Sequence, residues 1–140
     1  MKKQFEISSI IFTIILSFCV SCTPKKLIGS YAKQINKIFT QAGPVAFSGC
    51  EAMDGSLIFI MNPNDDLSKE IIKQETDYSR NKIMETFFVT LFSNNENLRQ
   101  LLDLIVYESG YVKATLAIPN SSLSYNYSIY GYNLKNMLKY

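Results

Sequence analysis

Two runs near the C-terminus constrain the fold most. Tyr111–Ile118 and Leu123–Tyr130 alternate apolar and polar residues on either side of the turn sequence Pro119-Asn120-Ser121-Ser122. Successive side chains of a strand point to opposite faces, so this alternation marks strands with one buried and one wet side. Placing Ile118 opposite Leu123 sets Leu116 opposite Tyr125, Ala114 opposite Tyr127 and Val112 opposite Ile129, which makes one apolar face. The other face holds Tyr111, Lys113, Thr115, Asn126, Ser128 and Tyr130. Turn and pattern agree on an antiparallel hairpin, and its apolar face requires the rest of the chain to cover it.

A second hairpin is expected over Val45–Met61, because Asp54-Gly55 suits a two-residue turn in which both central residues need positive φ. Counting outward from it pairs Ala52 with Leu57, Cys50 with Phe59 and Ser48 with Met61 on one face, and Glu51 with Ile58 on the other. Helices fill the remaining segments. Ile28, Tyr31, Ala32, Ile35, Ile38, Phe39 and Ala42 form one stripe, stopped by Gly43-Pro44, with Lys26, Lys33, Gln34 and Lys37 opposite. Asp65 or Asp66 can cap a helix running over Leu67–Phe92, with Met84, Phe87, Phe88 and Leu91 on its packing face. After Ser93–Asn97, the residues Leu98, Leu101, Leu102 and Ile105 fix another helix, for which Ser109-Gly110 offers a C-cap. The competing reading of Leu104–Tyr107 is a strand hairpinned at Ser109-Gly110. A short helix over Asn133–Leu138 closes the chain. These faces are satisfied by an α+β fold in which the two β-hairpins form one antiparallel sheet and helices pack on one side of it.

The N-terminus sets an address. Lys2 and Lys3 precede an apolar run from Ile7 to Val20, and the chain then turns polar at Ser21-Cys22-Thr23-Pro24. A membrane span needs roughly 20 apolar residues, and this run, interrupted by Ser8, Ser9 and Ser17, falls short. A charged start, an apolar middle and a small-residue end describe a cleaved export signal. Lipoprotein processing favours an apolar residue and two small ones before the acylated cysteine. Cys19 follows the bulky Phe18 and fits poorly, whereas Cys22 follows Cys19-Val20-Ser21 and departs only in having Cys19 for the usual leucine.

Residues 1–21 thus resemble a bacterial lipoprotein signal peptide with a relaxed lipobox, and the resemblance implies that Cys22 carries the lipid, with palmitate-type acyl chains, and tethers an exported domain over residues 22–140. The layout also resembles that of small Bacteroidota lipoproteins of unknown function, a likeness that implies no activity. An uncut signal serving as anchor would attach the same domain differently. Removal of residues 1–21 also removes Cys19 and leaves Cys50 as the one thiol inside the domain, with no intrachain disulfide available to it.

Chemistry is sparse. The chain has no histidine and no tryptophan, so the usual general base near neutral pH and the commonest metal ligand are both missing. Its formal charge of +2 offers no field to attract nucleic acid. Ser30-x-x-Lys33 and Ser79-x-x-Lys82 match the S-x-x-K pattern of penicillin-recognising enzymes, but the companion S-D-N and K-T-G elements do not occur. Asp65, Asp66 and Glu70 lack the turn glycine of a calcium loop.

Six of the nine tyrosines fall at Tyr111 or later, and tyrosine is favoured where surfaces recognise partners. The reading is therefore a lipid-anchored protein of the bacterial cell envelope, on the periplasmic or surface side. It would act as a non-catalytic binding or structural module through Tyr111, Lys113, Asn126 and Tyr130. It would need no cofactor or metal, and its partners would be the membrane, through the anchor, and a protein or envelope ligand, with no nucleic acid. The alternatives are a small inhibitor or immunity-type protein and a small enzyme using Cys50.

Overall fold

The computed structural model describes residues 23–42 and 46–139. The signal peptide, Cys22 and the Gly43-Pro44 stop lie outside the described residues. The elements run α1 (Pro24–Ala42), β1 (Phe47–Met53), β2 (Ser56–Met61), α2 (Asp66–Lys73), α3 (Asp77–Ser93), α4 (Glu96–Tyr107), β3 (Tyr111–Ala117), β4 (Ser124–Tyr130) and α5 (Gly131–Met137). The fold is α+β. Both hairpins form and join one four-stranded sheet in the order β1-β2-β3-β4. The seam between them is parallel, Leu57 beside Val112 and Phe59 beside Ala114, so the sheet is mixed and mostly antiparallel. A parallel neighbour requires a long crossover, and α2, α3 and α4 are that crossover.

The β3–β4 register is the one its alternation predicts, from Tyr111 opposite Tyr130 to Leu116 opposite Tyr125. Tyr125 and Tyr127 turn inward and are buried. The β1–β2 turn is also as expected, with Asp54 at φ 49° and Gly55 at φ 83°. One pairing differs. Phe47, not Ser48, lies opposite Met61, because a bulge between Phe47 and Gly49 shifts the register. The bulge turns Phe47 into the core and leaves Ser48 exposed. There Phe47 joins an aromatic cluster around Phe88, whose ring lies 5.7 to 6.3 Å from those of Phe47, Phe59, Phe87, Phe92 and Tyr127. Burying the larger aromatic ring in place of a hydroxyl is what favours the bulge.

The helix expected over Leu67–Phe92 is two helices. It breaks at Gln74–Thr76, where the Thr76 hydroxyl caps α3 by accepting from the Ser79 N–H at 3.1 Å. Arg80 secures the corner by donating to the Gln74 carbonyl at 2.6 Å while pairing with Asp77 at 2.8 Å. The next corner repeats the device: Asn95 caps α4, and Arg99 reaches back to the Ser93 carbonyl. Leu98, Leu101, Leu102 and Ile105 are buried on one face of α4, so Leu104–Tyr107 is helical and the strand reading of that segment falls.

α1 runs antiparallel to β1. Lys25 pairs with Asp54 at 2.9 Å, Asn36 accepts from the Cys50 N–H at 3.2 Å, and Phe39 meets Phe47 with ring centroids 6.0 Å apart. Asn36 thereby satisfies a backbone donor on the sheet's edge strand. Ile28, Tyr31, Ala32, Ile35 and Phe39 are buried as the stripe predicts, while Lys26, Lys33 and Lys37 are exposed. Gln34, expected on the wet face, is half-buried. The helices and the inner sheet face share one core. Among the described residues no helix is long and apolar enough to cross a membrane.

Candidate functional site

The four residues expected to form a binding surface come to one face of the β3–β4 hairpin, opposite the core. Tyr111 and Tyr130 face each other across it, edge to face, with ring centroids 6.5 Å apart and planes at 90°. Such a pair contributes about 0.5–1.5 kcal/mol beyond its burial and holds both rings in fixed orientation. Tyr130 is 63% exposed and Tyr111 half-buried, so the pair presents one free ring braced by another. Lys113 lies one step along the face opposite Ser128, and Asn126 one step further opposite Thr115. Asn126 is exposed, and its amide donates to the Ser124 hydroxyl at 3.1 Å.

Sequence reasoning missed the middle of this surface. The parallel seam sets Ile58 beside Lys113 and Ile60 beside Thr115, so two half-buried isoleucines adjoin the polar hairpin face. Across the sheet the rows read Glu51–Ile58–Lys113–Ser128 and Gly49–Ile60–Thr115–Asn126. An apolar patch bordered by a cation, an amide, hydroxyls and a rigid aromatic pair has the composition of recognition surfaces. The strand-order alternation signalled that Ile58 and Ile60 face away from the core. Nothing local to β2 told which strand they would lie beside.

A groove of about 390 Å³ opens where β4 meets α5, lined by Val106, Ser109, Gly110, Tyr130, Tyr132 and Asn133. Tyr132 therefore stands around the corner from the sheet face, and Tyr130 belongs to both surfaces.

Cys50, Ser79 and Lys82, considered for catalysis, are buried or engaged elsewhere. Cys50 is 3% exposed, and burial, with a smaller contribution from Glu51, pushes its thiol well above the usual range. A protonated, buried thiol is a poor nucleophile. Cys50 should accordingly resist maleimide labelling in the folded protein and react only on unfolding. Rapid modification under native conditions would revive the thiol enzyme. Ser79 accepts a hydrogen bond from the Thr76 hydroxyl at 3.0 Å, and Lys82 pairs with Glu85 at 3.5 Å. Asp65 accepts from the Leu67 N–H at 3.0 Å as the N-cap of α2. Among the described residues no group of three or more His, Cys, Asp or Glu side chains is arranged to hold a metal ion.

Tyr125 and Tyr127 are not free acid–base groups either. The Tyr125 hydroxyl donates to the Asn81 side-chain oxygen at 2.7 Å, and burial, with nearby Glu85, pushes Tyr127 up to about 12.

No family model, no curated protein and no solved structure matches this chain.

Proposed function

We propose that this chain is a lipid-anchored cell-envelope protein that acts by binding, with Cys22 as its acylated residue and the uncovered sheet face as its recognition surface. The observation that carries the binding half is the braced Tyr111–Tyr130 pair beside Lys113 and Asn126, adjoining Ile58 and Ile60. This surface combines rigid aromatic area with directed polar groups and asks for no bond to be made or broken. The anchoring half is supported by the fit of Cys22 to a lipoprotein signal and by the start of α1 at Pro24, two residues further on. An inhibitor or immunity-type role is the same reading with an enzyme or toxin as the partner.

Site-specific photocrosslinking in the producing cell tests the surface. A benzophenone amino acid at Asn126 or Tyr130 should give a discrete adduct that Lys113→Glu diminishes, and the same probe at Glu75, exposed between α2 and α3, should give none. Equal labelling at all three positions, or none at any, would show that this face is not the recognition surface.

A further inference from the structure

Large apolar and aromatic side chains left in water concentrate at one end of the domain. The strand directions define that end: β1 finishes there at Met53, β2 and β3 start there, and β4 finishes there at Tyr130. α4 ends at the same place, since Gly55 and Gly110 touch, and α5 starts from it through the Gly131 N–H bond to the Gly110 carbonyl at 2.9 Å. Four side chains stand exposed at this end: Met53 (52%), Tyr107 (76%), Tyr130 (63%) and Tyr132 (64%). They come from three separate stretches of the chain, Met53 in β1, Tyr107 at the end of α4, and Tyr130 and Tyr132 where β4 runs into α5, so their meeting is a product of the fold. Among the described residues, the two comparable exposed side chains, Tyr78 and Leu123, stand apart from them, at the start of α3 and in the β3–β4 loop.

The chain outside the structure leads to the same end. Lys25 in the first turn of α1 bonds Asp54 in the β1–β2 turn at 2.9 Å, and Cys22 precedes the first described residue, Thr23. A tether at Cys22 leaves a span of only about three residues, at most roughly 10 Å, between the acylated residue and this contact. Tyrosine is enriched at the membrane–water boundary, where its ring meets the acyl region and its hydroxyl stays hydrated. The local charges are nearly balanced, with Lys25 and Lys26 against Asp54 and Glu108. Headgroup-level burial of rings, more than attraction to anionic lipid, would therefore hold the contact.

We infer that this end of the domain rests on the bilayer, with Met53, Tyr107 and Tyr132 at headgroup depth, Tyr130 at the rim where the recognition face begins, and the sheet standing away from the surface. The inference rests on acylation of Cys22. It deepens the proposed function, because it would turn the recognition face of the sheet sideways, to ligands beside the membrane.

The absence of tryptophan makes the test direct. Full-length Tyr132→Trp and Leu123→Trp chains, produced in a bacterial host and checked by intact mass, are reconstituted into phosphatidylcholine/phosphatidylglycerol vesicles with brominated acyl chains. The indole at position 132 should lose roughly half its emission and shift to the blue, as expected of a ring at the interface, while the indole at position 123 should match its value in unbrominated vesicles. An acylated protein with position 132 unquenched, or with both positions quenched alike, overturns the end-on contact and leaves the tether standing. A mass without acyl chains overturns the tether, and the inference with it.

Discussion

Replacing Cys22 by alanine is expected to abolish acylation outright and to block the cut before residue 22. Intact mass should change from acylated residues 22–140 to either the unacylated precursor or a product cut elsewhere. The chemistry is all-or-none, because only a thiol at that position can form the thioether to the diacylglyceryl group. The energetic consequence is also large. One acyl chain gives marginal membrane binding, and a second, at about 0.8 kcal/mol per buried methylene, adds on the order of 10 kcal/mol for a chain of ordinary length. The described residues of the folded domain offer far less, because the rings at the tether end reach only headgroup depth. Lys26, Lys33 and Lys37 are exposed along α1, but a lysine near an anionic surface contributes only about 1 kcal/mol and is screened by salt. A variant that escapes its signal should therefore leave the membrane fraction, and one that keeps the signal will show it by mass. If the mass in Cys22→Ala changes by no more than the lost sulfur atom, the lipoprotein reading is rejected and an uncut signal anchor or a secreted domain is left.

How much of this was legible in the sequence follows from how local each determinant is. The β3–β4 register could be read because the turn and the alternation, two independent signals, agree on it, and the Tyr111–Tyr130 pair came with it. Asp54-Gly55 declared its turn for the same reason. The bulge at Ser48 was less visible, since alternation counted back from the turn hides an inserted residue. The one cue was Phe47 lying three positions from Cys50, a spacing that a regular strand does not allow on one face. The break between α2 and α3 is written in Thr76-Asp77, a cap followed by an acidic first turn, but the polar run around it suits a continuous helix well enough to conceal it. The parallel seam depends on where a three-helix crossover returns the chain. No pattern within β2 or β3 encodes it, so the Ile58 and Ile60 part of the surface was out of reach. The exposed cluster of Met53, Tyr107, Tyr130 and Tyr132 was hidden for the same reason, because it requires the directions of all four strands at once.

The Gly110→Ala substitution should be among the most destabilising single-methyl changes in the domain, and its physical reason is specific. The left-handed residue that ends α4 is Ser109, at φ 55°, with the Ser109 N–H bonding the Val106 carbonyl and the Gly110 N–H bonding that of Ile105. This pair of bonds is a Schellman motif whose usual glycine position is taken by serine. Gly110 is needed for close approach instead. A Cβ there would overlap the carbonyl oxygen of Gly55 and lie 2.7 Å from its carbonyl carbon, both rigid backbone atoms. The same residue accepts from the Gly131 N–H at 2.9 Å, and its neighbour Tyr111 donates to the Ser56 hydroxyl at 3.0 Å. Relief of the clash would thus have to disturb the β1–β2 turn, the start of β3 and the start of α5 together. Forcing a methyl into such a site costs about 3 kcal/mol, the upper end of the ordinary range for overpacking, which corresponds to a fall in Tm on the order of 10 °C. Gly29→Ala provides the opposite sign. Gly29 lies within α1 with nothing inside 4 Å of an added Cβ, so alanine there should stabilise by about 0.5–1 kcal/mol through helix propensity. Thermal or urea unfolding of the two variants should move in opposite directions. If Gly110→Ala unfolds where the parent does, the β1–β2 turn does not lie against the end of α4. The tyrosines of that end would then lose the scaffold that gathers them where the tether arrives.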